Sequence, residues 1–265
     1  MSEEKTAEEA VIVARKDGIA TVTLNRPDKL NALTKPAWER LGEIFEELGA
    51  DHGLRCIVLR GAGGKAFSPG NDISEFETER SNAEQARAYG AVMHRTLDAL
   101  RNCPVPIVAL IEGICVGGGM EIAAVTDIRI CGQSSRFGAP ISKLGLVMAH
   151  AELQALLDLV GEATAKELLL EARIVDAEEA LAKGIVTRVV PDGEVEREAY
   201  ATADRIAAGA PLVHRWHKQF IRRLKNPEAL QAEELDEGFH CFDTKDFEIG
   251  YRAFLAKEKP KFEGR

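Results

Sequence analysis

The sequence predicts an α/β fold in which pairs of short strands and helices alternate as a spiral of ββα units. Two short apolar segments followed by a helical pattern occur at least twice within the first 150 residues. This weak repeat favours a spiral over a doubly wound sheet. From Glu152 onward the pattern is almost entirely helical, apart from a strand-like run at 185–190. We therefore expect a spiral core over residues 1–200 and a helical region over residues 201–265.

Composition and charge describe an acidic protein with an ordinary apolar fraction. The chain has 265 residues, a net charge of −9 and 45% hydrophobic residues, so it is long enough to bury a substantial core. The acidic balance argues against a nucleic-acid or anionic-membrane surface, because either would require a basic face. No apolar run reaches the length of a membrane span, and the acidic N-terminus lacks the apolar segment of a signal peptide.

Cysteine usage indicates a reducing compartment. Three of the five cysteines lie in or beside apolar strand-like runs, and none forms a C-x-x-C pair. The five are Cys56, Cys103, Cys115, Cys131 and Cys241. We expect buried free thiols in the cytoplasm rather than disulfides or a metal site.

Turn residues and the spacing of apolar residues predict the secondary-structure elements of the first hundred residues. Asp17-Gly18 is typical of a hairpin turn, and Trp38 recurs with other apolar residues at helical spacing, which indicates a core contact. The expected elements are a frayed tail at 1–9, a hairpin at 10–24, a helix starting at 34–36, a strand at 55–60, a mobile polar loop at 74–83 and a helix at 84–100.

Two features stand out in the C-terminal region. Asn226-Pro227 predicts the start of a helix, because asparagine is a good N-cap and proline suits the first helical position. Several phenylalanines crowd the last thirty residues, among them Phe239, Phe242, Phe247 and Phe254. They either close the core or are buried against another subunit.

The most informative stretch lies between residues 104 and 145. An apolar run at 106–111 predicts a buried strand, and glycines 117–119 lead from it to a helix expected at 120–126. Backbone N–H groups at such a helix start are unsatisfied and partly positive, and glycine lets a ligand oxygen approach them closely. Glu121 falls in the first turn, so the segment could stabilise an oxyanion while a carboxylate moves a proton. A tight turn with a solvated glutamate is the alternative.

Four segments in order resemble the crotonase (enoyl-CoA hydratase/isomerase) superfamily. They are N-R-P-D-K-L-N-A-L at 25–33, A-F-S-P-G-N-D-I at 66–73, G-G-G-M-E-I-A at 117–123 and R-A-F-L-A-K-E-K-P-K-F-E-G-R at 252–265. The resemblance implies a crotonase-like spiral whose C-terminal helices build a homotrimer, or a hexamer of two trimers. It also implies an acyl-CoA thioester substrate, with coenzyme A as part of that substrate and no tightly bound cofactor or metal.

The resemblance assigns roles to individual residues. The backbone N–H groups of Asn71 and Gly118 would bind the thioester oxygen and stabilise an enolate, and Glu121 would act as acid or base. Phe254 and Lys257 would reach the coenzyme A of a neighbouring subunit. The residues implied around coenzyme A and the acyl group are Lys29, Leu30, Ala32, Ala66, Gly70, Asn71, Asp72, Ile73, Gly117, Gly118, Ile141, Phe254 and Lys257.

One position departs from the family pattern. Hydratases carry a second glutamate after the proline of an F-G-x-P-E motif, whereas this chain has Ile141 after Pro140. Because isoleucine cannot transfer a proton, a two-glutamate mechanism does not follow from the resemblance. His94 is a candidate second acid or base, since its ordinary pKa is near neutrality; simple packing on a helix is its alternative. We expect 2-enoyl-CoA hydration or dehydration, with isomerisation, other enolate chemistry and non-catalytic acyl-CoA binding as alternatives.

Overall fold

A computed structural model describes residues 6–265, which form ten strands in two sheets. The strands are β1 (Val11–Lys16), β2 (Ile19–Leu24), β3 (Cys56–Gly61), β4 (Ala66–Ser68), β5 (Ile107–Ile111), β6 (Ile114–Val116), β7 (Ile128–Gly132), β8 (Arg136–Gly138), β9 (Val175–Asp176) and β10 (Arg188–Val190). The main sheet has the order β1-β2-β3-β5-β7-β10, and the smaller sheet has the order β4-β6-β8-β9.

Eleven α-helices connect or cover these strands in the same described residues. They are α1 (Ala7–Ala10), α2 (Lys35–Gly49), α3 (Phe76–Glu79), α4 (Ala83–Asn102), α5 (Gly118–Ala124), α6 (His150–Glu171), α7 (Ala177–Ala182), α8 (Val195–Ala207), α9 (Pro211–Arg223), α10 (Ala232–Asp236) and α11 (Lys245–Ala256).

The strand pairing confirms the predicted spiral of ββα units. Consecutive strands β3 and β4, β5 and β6, and β7 and β8 each place one strand in the main sheet and the next in the smaller sheet. Within each sheet these strands run parallel. Each turn of the spiral therefore adds one strand to both sheets, and α4 and α5 follow the first two turns.

The central strands β3 and β5 of the main sheet are buried on both faces, as is usual for parallel strands. Alternate residues of β3 point to opposite sides: Ile57 joins the large core that contains Trp38. Val58 joins a second core with Ala199 and Ala203 of α8. The predicted boundary at residue 200 thus falls inside a helix that packs on the sheet. The division into a core and an assembly region stays a prediction.

Local sequence patterns predicted the hairpin correctly, but they predicted the N-terminal segment and the loop at 74–83 less well. Asp17 and Gly18 have φ of 50° and 77° in the tight turn between β1 and β2, which confirms the hairpin. Residues 1–5 of the expected tail lie outside the described residues, while Ala7–Ala10 form α1. The expected loop at 74–83 contains α3 and the N-cap Asn82, whose side chain accepts from Glu84 N and Gln85 N.

The helix expected at Asn226-Pro227 is absent from the described structure. Asn226 Oδ1 instead accepts a hydrogen bond from Glu228 N at 3.3 Å in a turn, and the next helix, α10, begins at Ala232. All five cysteines are free, and four of them are buried. The cytoplasmic location inferred from them stays a prediction. Across residues 6–265, no helix combines the length and apolarity needed to cross a membrane.

Candidate active site

A cavity of about 220 Å³ lies where the loop after β4 meets the start of α5. Its wall is mostly apolar but contains two carboxyl side chains, Glu121 and Glu152, and one guanidinium, Arg80. The remaining lining residues are Pro69, Asn71, Ile73, Phe76, Met93, Val116, Gly117, Gly118, Pro140, Ile141, Leu144, Leu146, Val147 and Met148. An apolar pocket with a few convergent charged groups is typical of a catalytic site.

Two backbone segments touch at one end of this cavity. Gly70 has φ of +92°, and a Cβ atom at this position would lie 2.4 Å from Gly118 N, so only glycine permits the contact. Ser68 fixes the turn, because its Oγ accepts from Gly70 N at 2.9 Å and donates to Asn31 O at 2.8 Å. The sequence Ser-Pro-Gly-Asn therefore brings the backbone after β4 directly against α5.

Two N–H groups at this contact are left without acceptors. Within residues 6–265, the amides of Asn71 and Gly118 donate no hydrogen bond. Their chain neighbours do: Gly117 N donates to Gly138 O at 2.9 Å, and Asp72 N donates to Leu33 O at 2.9 Å. Unpaired amides on adjoining segments are the donors that an oxyanion requires.

Trp38 of α2 contacts both of these segments. Its Nε1 donates to Asn71 Oδ1 at 2.7 Å, and a Cβ on Gly118 would lie 3.0 Å from its Cζ2 atom. The sequence predicted only a core contact for Trp38, and the residue is indeed fully buried. The indole additionally holds the loop residue that carries one of the two free amides.

Glu121 has the surroundings of a functional acid or base. It is buried, and its Oε2 has no hydrogen-bond partner within the described residues. Burial, reinforced by the negative charge of Glu152, raises the pKa of Glu121 to about 8, while the positive charge of Arg80 opposes the rise. A pKa moved toward neutrality by desolvation and a charged neighbour is common at catalytic sites.

Glu152 is the second carboxyl side chain in the wall of this cavity. It lies in the first turn of α6 and is buried. Its Oε2 accepts from Ala149 N at 2.7 Å, and its Oε1 lies 3.1 Å from His94 Nε2. Sequence reasoning missed Glu152, because an acidic residue in a first helical turn is ordinarily explained by the helix dipole.

Six of the predicted site residues line the cavity: Asn71, Ile73, Gly117, Gly118, Glu121 and Ile141. Ile141 belongs to the apolar wall, as expected for that side chain. His94 is not among the residues that line the cavity and contacts Glu152 instead. Its role as a second acid or base stays a prediction.

The other predicted residues lie outside the cavity lining. Asp72 forms a buried ion pair with Arg26 at 2.9 Å and accepts from Ser74 N at 3.1 Å, so its side chain braces the loop. Gly70 and Ala66 contribute backbone and packing beneath the contact. Lys29, Leu30 and Ala32 belong to the neighbouring loop, and Phe254 and Lys257 lie at the exposed end of α11.

A larger depression of about 540 Å³ lies beside β7, α6 and α9, but it lacks these features. Its carboxylates are already paired, Asp127 with Lys218 at 2.7 Å and Asp158 with Lys225 at 3.3 Å. Between residues 6 and 265, no three His, Cys, Asp or Glu side chains cluster as a metal site. We therefore place the active site at the smaller cavity.

Comparison with known proteins agrees with the fold. A family model described as enoyl-CoA hydratase/isomerase matches residues 14–265. A short-chain-enoyl-CoA hydratase of Clostridium acetobutylicum is 34% identical over 96% of this chain and 97% of its own length. A crotonyl-CoA hydratase of Syntrophomonas wolfei is 31% identical over 97% and 98%. The crystal structure of an enoyl-CoA hydratase/carnithine racemase from Magnetospirillum magneticum has a TM-score of 0.96 and 52% identity, over 97% of both chains.

Proposed function

The chain belongs to the enoyl-CoA hydratase/isomerase family, and we propose that it is a hydratase-type enzyme acting on 2-enoyl-CoA thioesters. The observation that carries the proposal is the presence of two buried carboxyl groups, Glu121 and Glu152, in one cavity with a free backbone amide. The names of the relatives from Clostridium acetobutylicum and Syntrophomonas wolfei support the same reaction class.

The backbone amides would bind the thioester oxygen. When water adds to Cβ of an enoyl thioester, negative charge moves onto that oxygen as an enolate. The N–H groups of Asn71 and Gly118 have no other acceptor, so they can donate to the developing charge without first breaking a bond. One donor of this kind is worth about 3 kcal/mol in the barrier.

The two carboxyl groups would divide the proton transfers. The raised pKa of Glu121 keeps it protonated at neutral pH, which suits an acid. We assign Glu152 as the base that accepts a proton while the water oxygen bonds to Cβ, and Glu121 as the acid that gives its proton to Cα. A proton then returns from Glu152 to Glu121, and the net change is the addition of one water molecule.

His94 would act as a positioning residue for Glu152. The 3.1 Å contact joins its Nε2 to Glu152 Oε1, while Ala149 N holds the other oxygen. These two contacts fix the orientation of the Glu152 carboxyl group. Coenzyme A itself would lie outside the cavity, where Lys29 and Lys257 are exposed cations able to meet its phosphates.

We further infer that the C-terminal helices bury apolar surface against other copies of the chain. Phe239, Phe242 and Phe254 are 66%, 58% and 82% exposed, and contiguous apolar exposure of this kind is typical of an interface. A homotrimer or hexamer is expected in light scattering at micromolar concentration. A monodisperse monomer would contradict both the assembly and the role of Phe254 toward a neighbouring coenzyme A.

Hydration of enoyl-CoA thioesters in deuterated water tests the proposed reaction. The wild type should consume the enoyl absorbance and place one deuterium at Cα. Glu121→Gln and Glu152→Gln should both lose activity, whereas Glu162→Gln, a matched change at an exposed position of the same α6 helix, should not.

The alternatives give different products in the same assay. Deuterium exchange or double-bond migration without water addition would indicate isomerase or other enolate chemistry. Tight binding of acyl-CoA with no exchange and no conversion, for any member of a substrate panel, would indicate a non-catalytic binding protein.

A further inference from the structure

Arg80 places a cation without an anionic partner in the wall of the active-site cavity. The residue directly follows α3 and lines the cavity together with Glu121. Its Nη1 atom is buried and has no hydrogen-bond partner within residues 6–265. A buried guanidinium N–H that lacks an acceptor is destabilising, so its persistence beside the cavity needs an explanation.

Aromatic side chains hold the guanidinium in place. Its Cζ lies 4.9 Å from the ring centroid of Phe76 and 4.9 Å from that of Tyr89. Cation–π contacts of this kind stabilise the charge but leave the in-plane N–H groups of arginine without acceptors. The stacking therefore fixes the side chain's position while its N–H groups form no hydrogen bond within residues 6–265.

The nearby carboxyl groups do not accept hydrogen bonds from the guanidinium of Arg80. Glu75 is engaged by Tyr89 Oη at 2.8 Å and by Lys35 N at 2.9 Å. Glu152 is engaged by His94 and Ala149 N. Glu121 keeps an unpartnered oxygen and forms no ion pair with Arg80 within 4 Å. Among the buried side-chain atoms of the cavity-lining residues, the unsatisfied ones are thus a donor on Arg80 and an acceptor on Glu121.

We infer that Arg80 binds a carboxylate carried by the acyl group, so that the preferred substrates are 2-enoyl-CoA thioesters with an acidic acyl chain. The inference rests on the proposed function, since the acyl group must enter this cavity with its thioester oxygen at Gly118. Arginine is suited to the role because its planar fork can bind a carboxylate through two parallel hydrogen bonds. A phosphate of coenzyme A is a less suitable partner, because Nη1 is buried in the same wall as Glu121 rather than at the exposed lysines.

Binding of saturated thioesters tests the inference without requiring catalysis. Matched pairs of butanoyl-, hexanoyl- and octanoyl-CoA and their terminally carboxylated analogues of equal carbon number would be titrated by calorimetry. We expect the carboxylated member to bind about 10- to 100-fold more tightly at one chain length or more. A thioester ending in a trimethylammonium group should bind more weakly than its neutral counterpart.

Variants of Arg80 distinguish recognition of the ligand carboxylate from a general effect of the positive charge of Arg80 on the cavity. Arg80→Gln should abolish the preference for the carboxylated ligand and leave the neutral ligand within about threefold, whereas Arg80→Lys should keep part of the preference. Arg87→Gln, at an exposed position of α4, should change neither. Thermal unfolding of each variant would check that it folds, and the wild-type comparison needs no variant.

Three results would overturn the inference: no preference at any length, a preference that survives Arg80→Gln, or equal losses for charged and neutral ligands. The last result would mean that Arg80 only offsets the charges of Glu121 and Glu152. Because saturated thioesters cannot be hydrated, failure of the proposed hydration would leave this binding result interpretable. Loss of the binding preference would likewise leave hydration to be judged by its own assay.

Discussion

One end of the active-site cavity is formed by backbone groups and the other by side chains. At one end, backbone atoms of two adjoining segments provide N–H donors, and the contact of Gly70 with Gly118 N allows no side chain. At the other end, the side chains of Glu121, Glu152 and Arg80 converge from α5, α6 and the residue after α3. The first end is determined by short local motifs, and the second by the packing of three separate elements.

This difference separates groups that act on every substrate from a group that selects among substrates. A backbone donor serves any thioester oxygen, because the oxygen is common to every acyl-CoA. The two carboxyl groups would act on Cα and Cβ, which every 2-enoyl thioester also shares, whereas the Arg80 guanidinium would meet the part of the acyl chain that varies. We therefore expect changes at the backbone donors and at the carboxyl groups to affect all substrates equally, and changes at Arg80 to affect them unequally.

The largest loss of activity is expected from Glu121→Gln. The amide keeps the size of the carboxyl group but cannot give its proton to Cα, so kcat should fall by roughly 10²–10⁴-fold. Affinity for a saturated acyl-CoA should stay within a few-fold, because binding does not require proton transfer. Steady-state kinetics and calorimetry on the same preparation would measure both, and a variant that retains most of the wild-type kcat would remove Glu121 from the mechanism.

The next largest effect is expected from Gly70→Ala. The new Cβ would lie 2.4 Å from Gly118 N, which must push the two amides apart. Loss of one oxyanion donor lowers kcat by roughly 10²–10³-fold, and the loss should be the same for short, long and acidic acyl chains. Gly184→Ala is the control, since Gly184 also has positive φ but meets no atom within 4 Å. A substrate-dependent loss would break the proposed separation of the two ends.

Variants of Glu152 and His94 compare a reacting group with a positioning group. Glu152→Gln removes the assigned base and should lower kcat by about 100-fold or more. His94→Gln should have a smaller effect, about tenfold, because Ala149 N still holds Glu152 Oε2. Steady-state kinetics on the double variant distinguishes the two roles, because a group that acts only through Glu152 should add no further loss once Glu152 is replaced. Equal losses in the two single variants, or additive losses in the double variant, would contradict the assignment.

A separate effect, on stability rather than on activity, tests the burial of Glu121. Its pKa is raised from an ordinary 4.5 to about 8, so between these values the folded protein keeps a proton that the unfolded chain releases. The free energy of unfolding should therefore decrease as pH rises through this window. Each unit of difference between the pKa of Glu121 in the folded protein and in the unfolded chain corresponds to about 1.4 kcal/mol of unfolding free energy.

Glu121→Gln removes this ionisation and isolates its contribution from those of other groups. The difference in unfolding free energy between variant and wild type should move in favour of the variant as pH increases from about 5 to 9. Denaturant titrations at three pH values would measure it. A constant difference would mean that Glu121 ionises in the folded protein as it does in the unfolded chain.

The sequence predicted the tight turns well because turn chemistry is local. Asp17-Gly18 and the Gly70 turn both depend on residues that tolerate positive φ, and both were located from short motifs. The start of α5 differed only in detail: the helix begins at Gly118 rather than at residue 120, since glycine can adopt helical dihedral angles although it disfavours them.

Prediction from short stretches of sequence failed where the same residue type is common in two different structural roles. Asparagine caps helices and also closes turns through the same acceptor, and Asn226 does the latter. Glu152 presents the same difficulty, because a first-turn glutamate is usually explained by the helix that carries it. Its approach to Glu121 and His94 depends on how α6 packs against α4 and α5, which no short stretch of sequence encodes.

The hydrogen bond from Trp38 to Asn71 also makes the site optically observable. Indole emission responds to changes in hydrogen bonding and local polarity, and this indole touches both segments that would grip a thioester oxygen. The chain contains one other tryptophan, Trp216, on α9 outside the cavity lining. In a Trp216→Phe background, the fluorescence of Trp38 would report occupancy of the site in real time, with no label and no chemical turnover.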